Sequence, residues 1–163
     1  MAKAIQEREI GLDLFAFLHG EVYSFVTRTG TDPEQQSTKL RAMGIRAGQV
    51  LQERLNLEAP RTQDEVDIVR FVCRDVWTHL YLKQIDKLRT DNKGAYYLID
   101  NEFCLIKQVS DSMQYLRDLP LFLEFTCGLI QGIFVQFGIS AIVTPEVTHP
   151  PMCIFKVQIH NVK

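Results

Sequence analysis

The sequence predicts an α+β domain in which a helical layer, with about four main helices, packs on a twisted four-stranded antiparallel sheet. Three observations lead to this prediction. Segments with the apolar period of a helix fill most of the N-terminal half. Two pairs of short alternating segments, each pair joined by turn residues, follow in the C-terminal half. Between these pairs lies an apolar stretch, 120–137, which is typical of an enclosed helix.

The composition is that of a globular protein. The chain has 163 residues, of which 46% are hydrophobic and 23% are charged, and this length predicts a single domain. The formal charge of -2 gives no electrostatic sign of a nucleic-acid partner or of direct binding to an anionic membrane. Residues 1–9 are polar and contain no apolar signal segment. We therefore expect a flexible N-terminal segment, 1–9, a folded domain, 10–163, and a cytoplasmic protein.

The first predicted helix, from Ile10 to Arg28, carries more apolar surface than one core contact needs. Its apolar arc covers roughly half the circumference or more, whereas packing on a single core needs about 100°. Ile10 and Phe17 form a patch apart from the main stripe. We therefore expect this helix to meet two neighbours. The main stripe consists of Leu14, Phe15, Leu18, Val22, Phe25 and Val26.

The second predicted helix runs from a cap at Ser37 or Thr38 to about Leu55. Gly44 and Gly48 lie one turn apart on it, so that another backbone can come unusually near. That backbone belongs either to a second protein or to the same domain, and the sequence does not choose between them. The apolar face of this helix contains Leu40, Met43, Gly44, Ala47, Gly48, Leu51 and Leu55.

Two local patterns place the elements that follow. Residues 62–65 form a capping box, in which the Thr62 oxygen would accept from the Glu65 amide, and predict the start of a third helix. Residues 103–106 follow a turn signal and predict a short strand.

The predicted sheet is built from two hairpins. Strands 84–90 and 95–99 flank a loop in which Gly94 is placed for a positive φ. Strands 139–147 and 152–159 form the second hairpin. The last strand alternates apolar and polar residues most clearly, which predicts one buried and one solvated face.

The apolar stretch 120–137 approaches the length of a membrane span. Glu124, Gln131 and Gln136 within it favour a core helix instead, because polar side chains are costly in a bilayer. We expect Gly138 to end this helix in the left-handed conformation.

The residues that most often carry chemistry form no pattern typical of a site. Cys73, Cys104, Cys127 and Cys153 contain no C-x-x-C pair and lie among apolar residues, which predicts reduced, buried thiols. The histidines have no metal-ligand spacing, and the glycine motifs of nucleotide-binding proteins are absent. We therefore predict no catalytic residue, no metal and no cofactor.

A thiol enzyme is the alternative to a non-catalytic protein. Cys127 with His149 or His160 could supply a nucleophile and a base, since these groups need only meet in space. The apolar surroundings of Cys127 disfavour a reactive thiolate.

Several segments, taken in order, resemble a known family. The chain from about Ile10 to Ile159 is similar to the small subunits of the transport protein particle (TRAPP), and specifically to the subunit 6 type. The matching segments include Met43-Gly44-Ile45-Arg46, Phe71 with Cys73 and Trp77, Lys83-Gln84-Ile85-Asp86, Phe125-Thr126-Cys127-Gly128 with Gly132, and Gly138-Ile139.

The resemblance implies a mixed fold without catalytic residues and a role as a subunit of a vesicle-tethering complex. That complex is a guanine nucleotide exchange factor for a Rab GTPase in transport from the endoplasmic reticulum to the Golgi. This chain would be peripheral to the membranes of the cis-Golgi and the endoplasmic reticulum, and it would associate with them only through the complex. The resemblance further implies pairing with an acylated, paralogous small subunit through the first two helices. The residues predicted to pair are Leu14, Phe15, Leu18, Val22, Phe25, Leu40, Met43, Gly44, Ala47, Gly48 and Leu51.

Lipid binding by this chain itself is a separate question. The paralogue's acylated cysteine lies just before its third helix, where this chain has Ala59, so we expect no acylation here. The alternative function is a lipid- or tetrapyrrole-binding module of similar fold. Its cavity would be lined by Cys127 and by the rings of Phe122, Phe125, Phe134 and Phe137.

Overall fold

The computed structural model describes residues 2–30, 32–54, 64–91, 93–109 and 118–160. It contains helices and a single four-stranded sheet within these ranges. The helices are α1 (Ala2–Thr29), α2 (Pro33–Arg54), α3 (Glu65–Phe71), a π-helical turn (Val72–Val76), α4 (Trp77–Tyr81), α5 (Cys104–Val109), α6 (Leu119–Phe122) and α7 (Glu124–Gln136). The strands are β1 (Lys87–Thr90), β2 (Ala95–Asp100), β3 (Ser140–Glu146) and β4 (Cys153–His160).

The sheet is antiparallel throughout, with the strand order β1-β2-β4-β3. Phe155 on β4 lies opposite Leu98 on β2, and Val157 lies opposite Val143 on β3. These side chains point to the helices and are fully buried. The alternation of β4 therefore has the predicted effect, and the α+β fold with a four-stranded antiparallel sheet is confirmed.

The helices and the sheet meet in an aromatic core around Trp77. The ring centroid of Trp77 lies 5.4 Å from that of Phe155 and 5.7 Å from that of Phe103. The indole nitrogen of Trp77 donates to Asp100 Oδ2 at 2.9 Å, and Lys83 Nζ donates to Asp100 Oδ1. Because a buried carboxylate is costly without partners, these bonds fix the end of β2 against α4.

The helices at the start of the chain begin earlier than predicted. The predicted segment 1–9 is, from residue 2 onward, part of α1. The second helix begins at Pro33, because Asp32 Oδ1 accepts the Glu34 amide at 3.3 Å and proline suits the first helical position. The prediction of a cap at Ser37 or Thr38 is wrong.

The cap of α3 also differs from the capping box. Asp64 is the N-cap, and its side chain accepts the amide of Val66 at 3.4 Å. Thr62, to which the sequence assigned this role, lies outside the described residues. Asp64 is as good a cap as threonine, so the pattern 62–65 contains two competing starts.

The predicted short strand at 103–106 is wrong, because these residues lead into α5. The Phe103 carbonyl accepts the amides of Ile106 and Lys107 at 3.1 and 3.0 Å, which closes a helical turn. Asp100 Oδ1 accepts the Glu102 amide at 3.1 Å and ends β2 just before this point. A short apolar run fits a buried strand and a buried helix equally well.

The apolar stretch 119–136 lies in the core. It is long and apolar enough to span a membrane, but 61% of it is buried inside the fold. Leu123 divides it into α6 and α7, and Gly138 ends α7 with φ +73. Such burial is typical of the core helix of a globular domain.

Candidate interaction surface

The inner side of α2 packs closely on α7. A Cβ at Gly44 would collide with the carbonyl oxygen of Phe125, and a Cβ at Gly48 would collide with that of Leu129. Both glycines are buried by these contacts. The backbone that comes close to this glycine pair therefore belongs to the same domain and not to a second protein.

The contact is reciprocal, because α7 contributes a glycine pair of its own. A Cβ at Gly128 would collide with the carbonyl oxygen of Arg41, and one at Gly132 would collide with that of Ile45. With no Cβ atoms between them, the two backbones approach to within van der Waals contact along two turns. The position of α2 on the core is therefore set by backbone contacts that side-chain motion cannot relax.

The polar side chains of α7 also bind α2. Arg41 Nε donates to Glu124 Oε2 at 2.7 Å, and Arg41 Nη1 lies 3.4 Å from Gln131 Oε1. Near the other end of α7, Gln136 Nε2 donates to the Gln49 carbonyl at 2.8 Å. The three polar residues that favoured a core helix thus all contact α2.

The inner side of α1 packs on α6 and α7 through aromatic rings. The His19 ring lies 4.5 Å from that of Phe122 and 5.5 Å from that of Phe125, and Tyr23 lies 5.3 Å from Phe122. Neither His19 ring nitrogen has a hydrogen-bond partner in the described part of the chain. Burial lowers the pKa of His19 to about 4. This side of α1 is therefore part of the core and holds a neutral histidine.

The opposite side of α1 is apolar but uncovered. Leu14 is 70% exposed and Phe17 is 76% exposed, although isolated domains seldom place several such side chains in one patch. Two exposed side chains of α2 continue this patch. We call the patch the outer face, and it consists of Ile10, Leu14, Phe17, Leu18, Phe25, Met43 and Val50.

The predicted pairing residues fall into three groups. Leu14, Leu18, Phe25 and Met43 belong to the outer face. Phe15, Val22, Ala47 and Leu51 are half-buried at its margin. Leu40, Gly44 and Gly48 are buried by the chain's own core, so they do not lie on the exposed side of α2 as the sequence predicted.

Three residues of the outer face, Ile10, Phe17 and Val50, lie outside the predicted pairing surface. Ile10 and Phe17 did show as a patch apart from the main stripe, and that patch was the signal that could have found them. On a helix with about 100° per residue, these two residues lie beside Leu14, while Phe15 and Val22 turn toward the core.

Two shallow grooves lie along the outer face. The first, of ≈ 690 Å³, runs between α1 and α2, with Val22, Phe25 and Met43 among its apolar lining residues. The second, of ≈ 590 Å³, lies along α2 and includes Met43 and Val50. Because Met43 lines both, the two grooves form one continuous apolar surface.

The thiol-and-base alternative finds no support in the geometry. Cys127 is fully buried, whereas His149 and His160 are exposed. Burial raises the pKa of the Cys127 thiol, so that the nucleophilic thiolate is disfavoured. Among the described residues no group of three or more His, Cys, Asp or Glu side chains could hold a metal ion.

The rings proposed to line a ligand cavity do not surround one space. Phe122 and Phe125 pack on α1, whereas Phe137 packs on Phe71 with ring centroids 5.9 Å apart. Phe134 is fully buried in the core. Ala59, the position compared with the acylated cysteine, lies outside the described residues.

The fold and the outer face define a class of protein. An α+β domain with a large exposed apolar surface on its long helices is typical of proteins that bind other macromolecules through that surface.

Residues 15–160 match the family model described as transport protein particle (TRAPP) component. Subunit 6b of the trafficking protein particle complex of Danio rerio is 44% identical over 151 residues, which covers 91% of this chain and 96% of that protein. Subunit 6B of Homo sapiens is 45% identical over 152 residues, with 91% and 96% covered. Subunit 6A of Homo sapiens is 40% identical over 151 residues, with 90% and 95% covered. The chain belongs to the TRAPP component family and is of the subunit 6 type, a component of a trafficking complex.

A solved structure is similar in fold. The crystal structure of a trafficking protein particle complex subunit 3 from Naegleria fowleri, covalently bound to palmitic acid, superposes with a TM-score of 0.78. The match covers 94% of this chain and 97% of that one at 15% sequence identity. The arrangement of helices on an antiparallel sheet is therefore common to both proteins.

Proposed function

We propose that this chain is a non-catalytic TRAPP subunit that pairs with a paralogous small subunit through the outer face. The observation that carries this proposal is the row of large apolar side chains on α1 and α2, of which Leu14, Leu18 and Phe25 are each more than 60% exposed. Burying one such side chain is worth about 1.5–3 kcal/mol. A partner that covers several of them would gain enough free energy to offset the cost of association.

The shape of the outer face supports a helical partner. Its main groove runs between two consecutive helices, and such a groove accepts the side-chain ridge of another helix. The glycine contacts with α7 hold α2 in place before any partner arrives. A preformed surface loses little conformational entropy on binding, which favours affinity.

In the assembled complex, the chain would contribute a binding surface rather than a reacting group. We propose that the complex tethers vesicles and promotes nucleotide exchange on a Rab GTPase in transport from the endoplasmic reticulum to the Golgi. The partner would be the acylated paralogue, and the chain would be held at the cis-Golgi and endoplasmic reticulum only through the complex. Family membership and the trafficking complex named for its relatives support this proposal.

Co-expression with the subunit-3-type paralogue tests the pairing. Wild-type chain should elute with that paralogue as a 1:1 complex, with the mass checked by light scattering. Leu18→Glu should weaken the pair by about 100-fold or more, because a carboxylate would be buried without a partner. Ile142→Glu is the matched control, since Ile142 is 51% exposed on β3, away from the outer face. Equal affinity of Leu18→Glu and Ile142→Glu would contradict the proposal.

The role in exchange and localisation needs a separate test. Complex reconstituted with and without this chain would be compared for release of labelled GDP from a panel of Rab GTPases. We expect slower release from the responsive GTPase when the chain is omitted or replaced by Leu18→Glu. In cells, the same substitution should disperse a tagged chain from the Golgi region. Unchanged exchange and unchanged localisation would contradict this part of the proposal.

A further inference from the structure

The sheet has two edge strands, β1 and β3, and they differ in how their free edges are protected. β3 contains Pro145, which has no N–H group and interrupts the hydrogen-bond ladder that an added strand would need. β1 contains no proline, and all four of its residues are exposed. An unprotected edge offers unpaired backbone groups to another extended segment. β1 is therefore the edge at which a further strand can join this sheet.

The free edge of β1 is formed by the backbone groups of Leu88 and Thr90. The Asp91 amide donates to the Ala95 carbonyl at 3.0 Å, and residues of an antiparallel pair alternate between bonded and non-bonded positions. The odd-numbered residues of β1 therefore direct their N–H and C=O groups to β2. Those of Leu88 and Thr90 point away from the sheet, so these are the groups that an added strand would bond.

The side chains on the two sides of β1 differ in character. Leu88 lies opposite Leu98 and shares its side of the sheet, which faces the core. Leu98 is fully buried, but Leu88 is 38% exposed. The pleat turns Lys87 and Arg89 to the outer side of the sheet, where Arg89 lies opposite Tyr97. A partly uncovered apolar side chain therefore alternates with two cations along one strand.

Neighbouring carboxylates do not neutralise these cations. Within the ranges that the structure describes, Lys87 and Arg89 form no ion pair. The two carboxylates that flank β1 bind other groups, because Asp86 pairs with Lys83 and Asp91 accepts backbone amides of its own hairpin. The outer side of β1 is thus open to carboxylates of another chain.

We propose that the free edge of β1 binds an extended segment of another protein in which acidic and apolar residues alternate. The segment would add antiparallel to β1, since the sheet is antiparallel throughout and this pairing is the more stable per residue. Its backbone would bond Leu88 and Thr90, and its apolar side chains would cover Leu88. Its carboxylates would lie beside Lys87 and Arg89 on the outer side of the sheet.

Cations on an edge strand also discourage aggregation between like edges. That protective role does not account for the partly exposed Leu88 on the side of the core. An acidic and apolar segment would satisfy the backbone groups, the leucine and the cations together. The two explanations differ in whether a segment of this pattern binds.

Fluorescence anisotropy with labelled synthetic peptides tests the inference on the full chain. The probe is an acetylated octapeptide in which Glu and Val alternate, and its matched control has the same residues as a block of Glu followed by a block of Val. We expect the alternating peptide to bind at least about tenfold more tightly. N-methylation of the valine amides, which face β1 in the antiparallel arrangement, should abolish binding. N-methylation of the glutamate amides, which point away, should change the affinity by less than about threefold.

Variants of the chain separate the charges from the backbone groups. Lys87→Glu/Arg89→Glu should weaken binding by at least about tenfold. Arg70→Glu/Arg74→Glu makes the same change of charge at exposed positions of α3 and the π-helical turn, and it should stay within about threefold of wild type. Thr90→Pro removes a free N–H group and keeps the bonds to β2, so it should lose binding with little change in thermal unfolding. The N-methylated peptides test the same bonds without altering the chain.

Equal binding of the alternating and block peptides would overturn the inference, and so would binding that survives N-methylation of the valines. Equal weakening by the two charge-reversal variants would show that only the net charge matters. If the chain bound phosphatidylserine vesicles through Lys87 and Arg89 but not the alternating peptide, the cations would belong to a membrane site. A dimer of the isolated chain that Thr90→Pro dissociates would assign the edge to a second copy instead.

Discussion

The two sides of the α1–α2 layer use different side chains and differ in whether they are covered. On the inner side, small residues such as Gly44 and Gly128 bring α2 into backbone contact with α7, and the chain completes that contact alone. On the outer face, large residues such as Leu14 and Phe17 are mostly exposed. Glycine pairs in this fold therefore indicate packing within the subunit, and exposed large apolar residues indicate the surface left for another protein.

The largest loss of stability should follow from placing a side chain in the glycine contact between α2 and α7. Gly128→Val would place a branched side chain against the Arg41 backbone, which cannot move without displacing α2. We expect a loss of about 4 kcal/mol or more in the free energy of unfolding, or no folded protein. Gly11→Ala on α1 is the control, because a Cβ at Gly11 would meet no neighbouring element of the described chain within 4 Å, and it should be neutral or slightly stabilising. Urea denaturation measures both, and equal midpoints would contradict the close contact.

Leu18 and Leu40 were both predicted to lie on the pairing surface, but replacing them should have different effects on stability and on binding. Leu40 is 1% exposed and Leu18 is 61% exposed. Leu40→Ala should lower the free energy of unfolding by about 3 kcal/mol, whereas Leu18→Ala should change it by less than about 0.5 kcal/mol. The affinity for the paralogous partner should respond mainly to Leu18→Ala. If Leu18→Ala destabilised the isolated chain as much as Leu40→Ala, the distinction between the two sides would fail.

The buried histidine of the inner side should make stability depend on pH. The pKa of His19 is lowered in the folded protein to about 4 from its ordinary value of 6.5, so the unfolded chain binds the proton more readily. Stability from this group is present above pH 6.5 and is lost as the pH falls toward 4. We expect about 2 kcal/mol of loss between pH 7.5 and pH 5. His19→Phe should remove this component, and an unchanged pH dependence in that variant would contradict the assignment.

A smaller effect is expected from the ion pair between α2 and α7. Arg41 also donates from Nη1 to the Val143 carbonyl at 2.8 Å, and so joins α2 to β3. Arg41→Met should lower the free energy of unfolding by about 1–2 kcal/mol, since Glu124 is left without its cation. Arg74→Met, which removes only an exposed pair with Asp75, should leave thermal unfolding unchanged. Equal melting temperatures for the two variants would show that the Arg41 contacts contribute nothing.

Most of the fold follows from local patterns in the sequence. The alternating burial of β4 and the positive φ of Gly138 could both be predicted, because each depends on local backbone geometry and little on distant residues. The first residues of α2 and α3 were harder to predict, because Asp32 and Asp64 compete as N-caps with nearby threonine and serine residues. The run 103–106 was too short for its period to distinguish a strand from a helix.

The outer face could be predicted only in part, because periodicity shows that a helix is apolar but not which side the core will cover. The over-wide apolar arc of α1 predicts two neighbours. The structure supplies one of them within the chain, where α1 packs on α6 and α7, and the second stays a prediction. Leu40, Gly44 and Gly48 were assigned to the same side of α2 as Met43, although Leu40 is buried in the core and α7 covers the two glycines. Only tertiary packing separates these groups.

Side-chain footprinting with hydroxyl radicals tests the central claim most directly, because it measures exposure residue by residue in solution. Oxidation of Phe17, Leu18 and Phe25 would be followed in the isolated chain and in the complex with the paralogous subunit, with Ile142 as the internal control. The account predicts rapid oxidation of the three in the isolated chain and a several-fold decrease in the complex, with Ile142 unchanged. A complex that forms while these three side chains stay as reactive as before would contradict it.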